Sequence, residues 1–258
     1  MCTAVVSIEP DASFPVLLAG VRDEFHDRSW VPPGRHWPDS PKVIGGLDLQ
    51  AGGTWLAVDA GVPRFAAVLN GIPVDRGAAQ SAPGREDRLS RGGLPLRFAA
   101  DGELGEIDSA RYEPFYLVYG TLDQVRLLSW DGQALTDRRL EPGLHMVTNL
   151  GLAGPDLREG FGMEEINARI GYFQPRLAAA ARPTPRTGST EAAWGAWAPL
   201  IEGDGLDPRD PRALVVRQDF DGRPTGTTSI TLLALGCDRV RYDFNAAPGV
   251  RGQWSTVE

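Results

Sequence analysis

The sequence predicts an α+β protein in which two antiparallel sheets pack face to face beneath helices. Three observations carry that prediction. Short apolar runs come in pairs separated by Gly-, Pro- and Asp-bearing turns, the spacing of hairpins rather than of βαβ crossovers. Helical periodicity is held back to the second half of the chain. At 258 residues, with no repeat of fixed period, the chain suffices for one layered domain spanning 1–258.

Taken in order, residues 2–8 and 16–22 form the first hairpin across the acidic turn Glu9-Pro10-Asp11. Thr54–Val58 and Phe65–Asn70 flank a second turn, Asp59-Ala60-Gly61-Val62-Pro63. Residues 75–110, dense in Gly, Ser, Asp and Arg, read as a long loop with at most a short helix. Phe115–Gly120 and Val125–Trp130 pair around Thr121-Leu122-Asp123-Gln124, and Leu144–Asn149 follows the turn Glu141-Pro142-Gly143. A helix is expected from Asp156 to Leu177, where Leu157, Phe161, Ile166, Ile170 and Phe173 approach a 3.6-residue period, although Gly160, Gly162 and Gly171 weaken it. A second helix, Thr190–Ile201, follows the connector Arg182–Ser189, and Ser229–Leu235 with Val240–Phe244 make a last hairpin.

Composition excludes several classes. Hydrophobic residues at 42% and charged residues at 23% are ordinary for a soluble globular chain. A net charge of −8 and an isoelectric point near 5.0 oppose nucleic-acid binding, which needs a basic footprint. No apolar run is long enough to span a bilayer, and Glu9 and Asp11 interrupt any signal-peptide core, so a cytoplasmic setting with Cys2 and Cys237 reduced is expected. His26, His36 and His145 are scattered without metal-ligand spacing, so no metal site is expected.

The chemistry concentrates at the start of the chain. Cys2 follows Met1 directly, and removal of the initiator methionine would give it a thiol and a free α-amine on one residue. An α-amine titrates at about 7.7–8.0 and is therefore a built-in base for its own nucleophile. The alternative is a small hydrophobe on an early strand. The first hairpin brings Arg22 and Asp23 back beside Cys2, a cluster strands ordinarily disfavour. There a guanidinium favours thiolate and a carboxylate holds the amine; the competing reading is a solvated ion cluster. Gly52-Gly53-Thr54-Trp55 lacks the Lys and the helix of a phosphate loop, so its glycines are read as backbone devices and Trp55 as packing. Trp30 and His36, in the Pro-rich stretch Trp30–Lys42, are candidates to line a substrate pocket, or else form a loop folded over the core.

Met1-Cys2, Arg22-Asp23-Glu24-Phe25, Gly45-Gly46-Leu47-Asp48-Leu49-Gln50-Ala51-Gly52-Gly53-Thr54-Trp55-Leu56 and Arg64-Phe65-Ala66-Ala67-Val68-Leu69-Asn70 together resemble the NRDE family, which contains the TANGO2 proteins. Weaker similarity runs through Arg91-Gly92-Gly93-Leu94, Val147-Thr148-Asn149-Leu150 and Thr227–Leu233. The resemblance implies an αββα sandwich of the N-terminal-nucleophile hydrolase kind. It implies Cys2 as nucleophile, Arg22 and Asp23 beside it, and Asn149 as candidate oxyanion donor; Asn70 joins Trp30 and His36 as a candidate on the substrate side. It also implies two competing activities. One is an N-terminal cysteine amidohydrolase or acyltransferase acting on the C–N bond of a small acylated amine, with no cofactor. The other is a non-enzymatic carrier of haem or a lipid ligand, for which His26 or His36 is the better-placed axial ligand. The chain departs from the family pattern at Val21, which replaces an Asn; at Gly71-Ile72-Pro73-Val74; and at Thr227, where an Arg is usual. Loss of that Arg removes a group suited to a substrate carboxylate or an oxyanion.

Overall fold

A computed structural model describes residues 2–59, 61–72, 88–155, 157–160, 162–250 and 252–257. The first sheet runs in the order β11 (Gly151–Leu152), β10 (Gly143–Thr148), β1 (Thr3–Ile8), β2 (Val16–Phe25), β13 (Arg223–Leu235), β14 (Val240–Asn245) and β15 (Trp254–Thr256), with β12 (Arg217–Phe220) also paired to β13. The second runs from β3 (Trp30–Gly34) through β4 (Val43–Asp48), β5 (Leu56–Asp59), β6 (Arg64–Asn70), β7 (Phe115–Thr121) and β8 (Val125–Trp130) to β9 (Leu135–Leu140). Among the described residues the strand pairings are antiparallel.

Strand alternation explains the layering. Ala4, Val6 and Ile8 of β1 join Val16 and Leu18 of β2 on one face, where they meet Ile44, Val58, Phe65 and Val118 of the second sheet. Val5, Leu17, Ala19 and Val21 turn the other way. They pack under α2 (Met163–Ala179), α3 (Thr190–Trp194) and α4 (Trp197–Ile201), whose Phe173, Leu177, Trp194 and Trp197 are buried. The second sheet's outer face is covered by α1 (Gly93–Asp101), through Leu94 and Phe98 on Phe115, Leu117 and Tyr119. The result is helix, sheet, sheet, helix, the predicted α+β sandwich. Trp194 and Trp197 anchor the first helical layer, and truncating either to Ala would cost about 3–5 kcal/mol.

Some elements differ from expectation. The 75–110 stretch contains the short helix α1; residues 73–87 lie outside the described part. The helix expected from Asp156 begins only at Met163, because Gly162 at its N-cap adopts φ +78, outside the helical region. Asp156 and Phe161 lie outside the described residues. The helix expected over 190–201 is two short pieces, broken at Gly195 (φ 53, ψ −129). Pro32 and Pro33, read as loop, lie in β3, at the sheet edge that tolerates missing N–H donors. Asn149 falls in the turn after β10, and Cys237 is exposed between β13 and β14.

Candidate functional site

The pairing Thr3↔Val21 sets Cys2 level with Arg22, and the two-residue period puts both on the face that looks toward the second sheet. Cys2 packs against the interlayer core and lines a cleft of about 710 Å³ with Arg22, Glu24, Trp55, Asn70 and Arg91. Its Sγ donates to the Asp23 main-chain carbonyl at 3.4 Å. Burial pushes the thiol above its ordinary range and Asp23 adds to the rise, with Arg22 opposing only weakly. The sulfur is therefore held as a thiol, and it needs a base to become a nucleophile.

Arg22 is fixed from three sides. Its Nη1 donates to Thr228 Oγ1 at 2.8 Å, its Nη2 lies 3.8 Å from Glu24 Oε2, and its guanidinium stacks 4.5 Å from the Trp55 ring centroid. A bulge in β13 between Thr227 and Ser229 brings Thr228 within reach of Arg22. Trp55 can lie there because Gly46 has no side chain: a Cβ on Gly46 would sit 2.1 Å from the indole. Gly53 serves differently, since its backbone meets that of Gly92, where a Cβ would fall 2.6 Å from the Gly92 carbonyl carbon. That close approach brings Arg91 to the cleft.

Asp23 points to the opposite face, beneath α2. Its Oδ1 accepts the Thr227 hydroxyl at 2.6 Å, and that hydroxyl itself accepts the Val216 N–H at 2.9 Å. Arg169 of α2 ion-pairs with Asp23 Oδ2 at 3.9 Å, while donating to the Ala213 carbonyl at 2.8 Å and to Thr3 Oγ1 at 3.2 Å. Thr227, noted in the sequence only as a missing arginine, thus holds Asp23 directly. Arg169 brings a guanidinium from a different element. It had a sequence signal: with Ile166, Phe173 and Leu177 it completes the buried stripe of α2, the one charge on that face.

The remaining candidates separate. Asn70 ends β6 and lines the cleft. Asn149 is buried and donates through Nδ2 to the Asn70 carbonyl at 2.5 Å, tying the ends of the two sheets together; it is not on the cleft wall. Trp30 stands behind Trp55, 5.7 Å edge to face, rather than at the surface of the cleft. His36 lies off the cleft: its Nε2 is 2.8 Å from the Pro32 carbonyl and its ring packs on Trp37, because β3 carries this segment along the sheet edge. His145 Nε2 is similarly 2.6 Å from the Glu141 carbonyl. Among the described residues no three of His, Cys, Asp and Glu gather to hold a metal, and no helix is long and apolar enough to cross a membrane.

Sequence reading missed Arg91, which donates from Nη1 to the Pro114 carbonyl at 3.0 Å. Burial depresses its guanidinium to about 10, opposed by Cys2 when ionised and by the Glu24 carboxylate.

No curated protein matches the chain. Among solved structures it is similar to a Caenorhabditis elegans N-acylethanolamine-hydrolyzing acid amidase ortholog, with 9% identity and a TM-score of 0.46 over 98% of this chain and 95% of that one. The family described as Transport and Golgi organisation 2 matches residues 1–168. The chain belongs to the TANGO2 family.

Proposed function

We propose that the protein is an N-terminal cysteine amidohydrolase or acyltransferase that opens the C–N bond of a small acylated amine. The observation that carries this reading is Cys2 itself, a half-buried thiol on a cleft wall, level with Arg22 and hydrogen-bonded to the main chain of Asp23. A cytoplasmic setting, in which both cysteines stay reduced, belongs to the same reading.

With Met1 removed, the Cys2 α-amine takes the thiol proton as Sγ attacks the amide carbon. The S–C bond forms and the carbonyl π pair moves to oxygen. Asp23 holds the resulting ammonium, and Arg22 favours the thiolate. Asn70, whose main chain is fixed by Asn149, faces the cleft as oxyanion donor, a role typically worth about 10²–10³-fold in rate. Collapse breaks the C–N bond, and the ammonium returns its proton to the departing amine. Water then hydrolyses the thioester, or an acceptor amine takes the acyl group and makes the enzyme a transferase.

Two measurements test this. Intact mass should show Met1 absent from active protein. Cys2→Ala should abolish turnover and covalent trapping by an acyl electrophile, with an unchanged unfolding midpoint; turnover that survived the substitution would sink the reading. The competing carrier of haem or a lipid ligand predicts saturable binding that persists in Cys2→Ser, with no covalent intermediate. None of the three histidines lines the cleft, so it is the weaker reading for haem.

A further inference from the structure

Five arginines line the cleft, and four have a carboxylate partner. Arg22 lies 3.8 Å from Glu24, Arg28 donates to Asp48 at 2.7 Å, Arg88 pairs with Glu113, and Arg223 reaches Asp27 at 2.9 Å. Arg91 differs. Its Nη1 rests on the neutral Pro114 carbonyl, and among the described residues no carboxylate pairs with it and no other acceptor takes its remaining N–H groups. It is half-buried in the cleft wall, and that burial depresses its guanidinium, since a cation without a counter-ion is disfavoured away from water. It lines the same cleft as Cys2 and Glu24, so it shares the nucleophile's part of the molecule.

We infer that Arg91 is the anion subsite of this cleft and that it takes a carboxylate carried by the acylated amine. The substrate is then an amide with a carboxylate on one side of the scissile C–N bond: an N-acyl amino acid, or the monoamide of a dicarboxylic acid. A guanidinium already anchored through one nitrogen presents its other donors with little further ordering, and charge-assisted bonds to carboxylate are among the strongest available. The substrate class rests on the hydrolase reading; the subsite itself does not.

The test is binding to Cys2→Ala protein from which Met1 has been removed, followed by calorimetry. N-hexanoylglycine is compared with N-hexanoylglycinamide, and N-propylsuccinamic acid with N-propylsuccinamide. One acid should bind at least about tenfold more tightly than its neutral partner, and which acid does so tells the side that bears the charge. The preference should vanish in Cys2→Ala/Arg91→Gln, which keeps an N–H for Pro114, and survive in part in Cys2→Ala/Arg91→Lys. Equal binding of acid and amide in both pairs, or a preference that persists without Arg91, overturns the subsite. An Arg91-dependent preference without turnover by the wild type overturns the hydrolase reading and leaves the subsite standing.

Discussion

Asp23 and Asp243 both point from the first sheet toward its helices, and both side chains are shut from solvent, at 2% and 0% exposure. Each clamps three elements. Asp243 accepts from Arg241 at 2.6 and 3.0 Å, from Trp194 Nε1 at 2.7 Å, from Thr190 at 2.9 Å and from Thr256 at 3.0 Å, so it binds β14 to α3 and β15. Asp23 ties β2 to Thr227 of β13 and to Arg169 of α2. The difference is the neighbour. Asp23 borders the cleft and its main chain receives the Cys2 thiol, whereas Asp243 lies away from that cleft. One device, a buried carboxylate under a helix, is structural at one place and, under the proposed hydrolase reading, doubles as chemistry at the other.

The comparison breaks first at Asp243. Asp243→Ala strands Arg241 in the interior without its carboxylate and should cost about 3–5 kcal/mol in urea unfolding, with unchanged turnover per folded molecule. A loss below about 1 kcal/mol would mean that the five contacts are not a clamp. Asp23→Asn keeps the shape, so it should cost only about 1–3 kcal/mol. Its effect on turnover should be the larger one, a fall of about 10²-fold or more, as for loss of an acid–base partner. Turnover at the wild-type level would reduce Asp23 to a second Asp243. The finest test uses the two threonines. Thr227→Val and Thr256→Val should each cost about 1 kcal/mol, yet only Thr227→Val should change kcat. Equal kinetics in both would erase the distinction.

The same comparison shows what the sequence discloses. Hairpins with apolar alternation, such as 2–8 with 16–22 and 229–235 with 240–244, follow from a two-residue period that local residues determine. Cys2 and Arg22 were legible together because one short hairpin fixes their register. Arg169 was not, since its partnership with Asp23 spans the sheet and the helical layer and depends on where α2 lands. Arg91 was hidden for a similar reason: it reaches the cleft through contact between two glycine backbones, Gly53 and Gly92, which no periodicity announces. His36 erred the other way. Aromatics in a Pro-rich stretch suggested a pocket loop, but edge pairing of β3 with β4 carried it away.

The register of β1 has one more consequence. The strand is held on both sides, by β2 through Thr3↔Val21 to Ile8↔Val16 and by β10 through Thr3↔Thr148 to Ile8↔Gly143. Sliding it by one residue would turn Ala4, Val6 and Ile8 out of the interlayer core and Val5 into it. The sandwich therefore acts as a ruler for the terminus. A chain trimmed one residue too far would present Thr3, whose side chain belongs to the helical side, and the strand could not shift to compensate. Under the proposed hydrolase reading, sheet pairing and terminal processing are separate requirements, so a ragged terminus should yield molecules that fold normally and lack turnover.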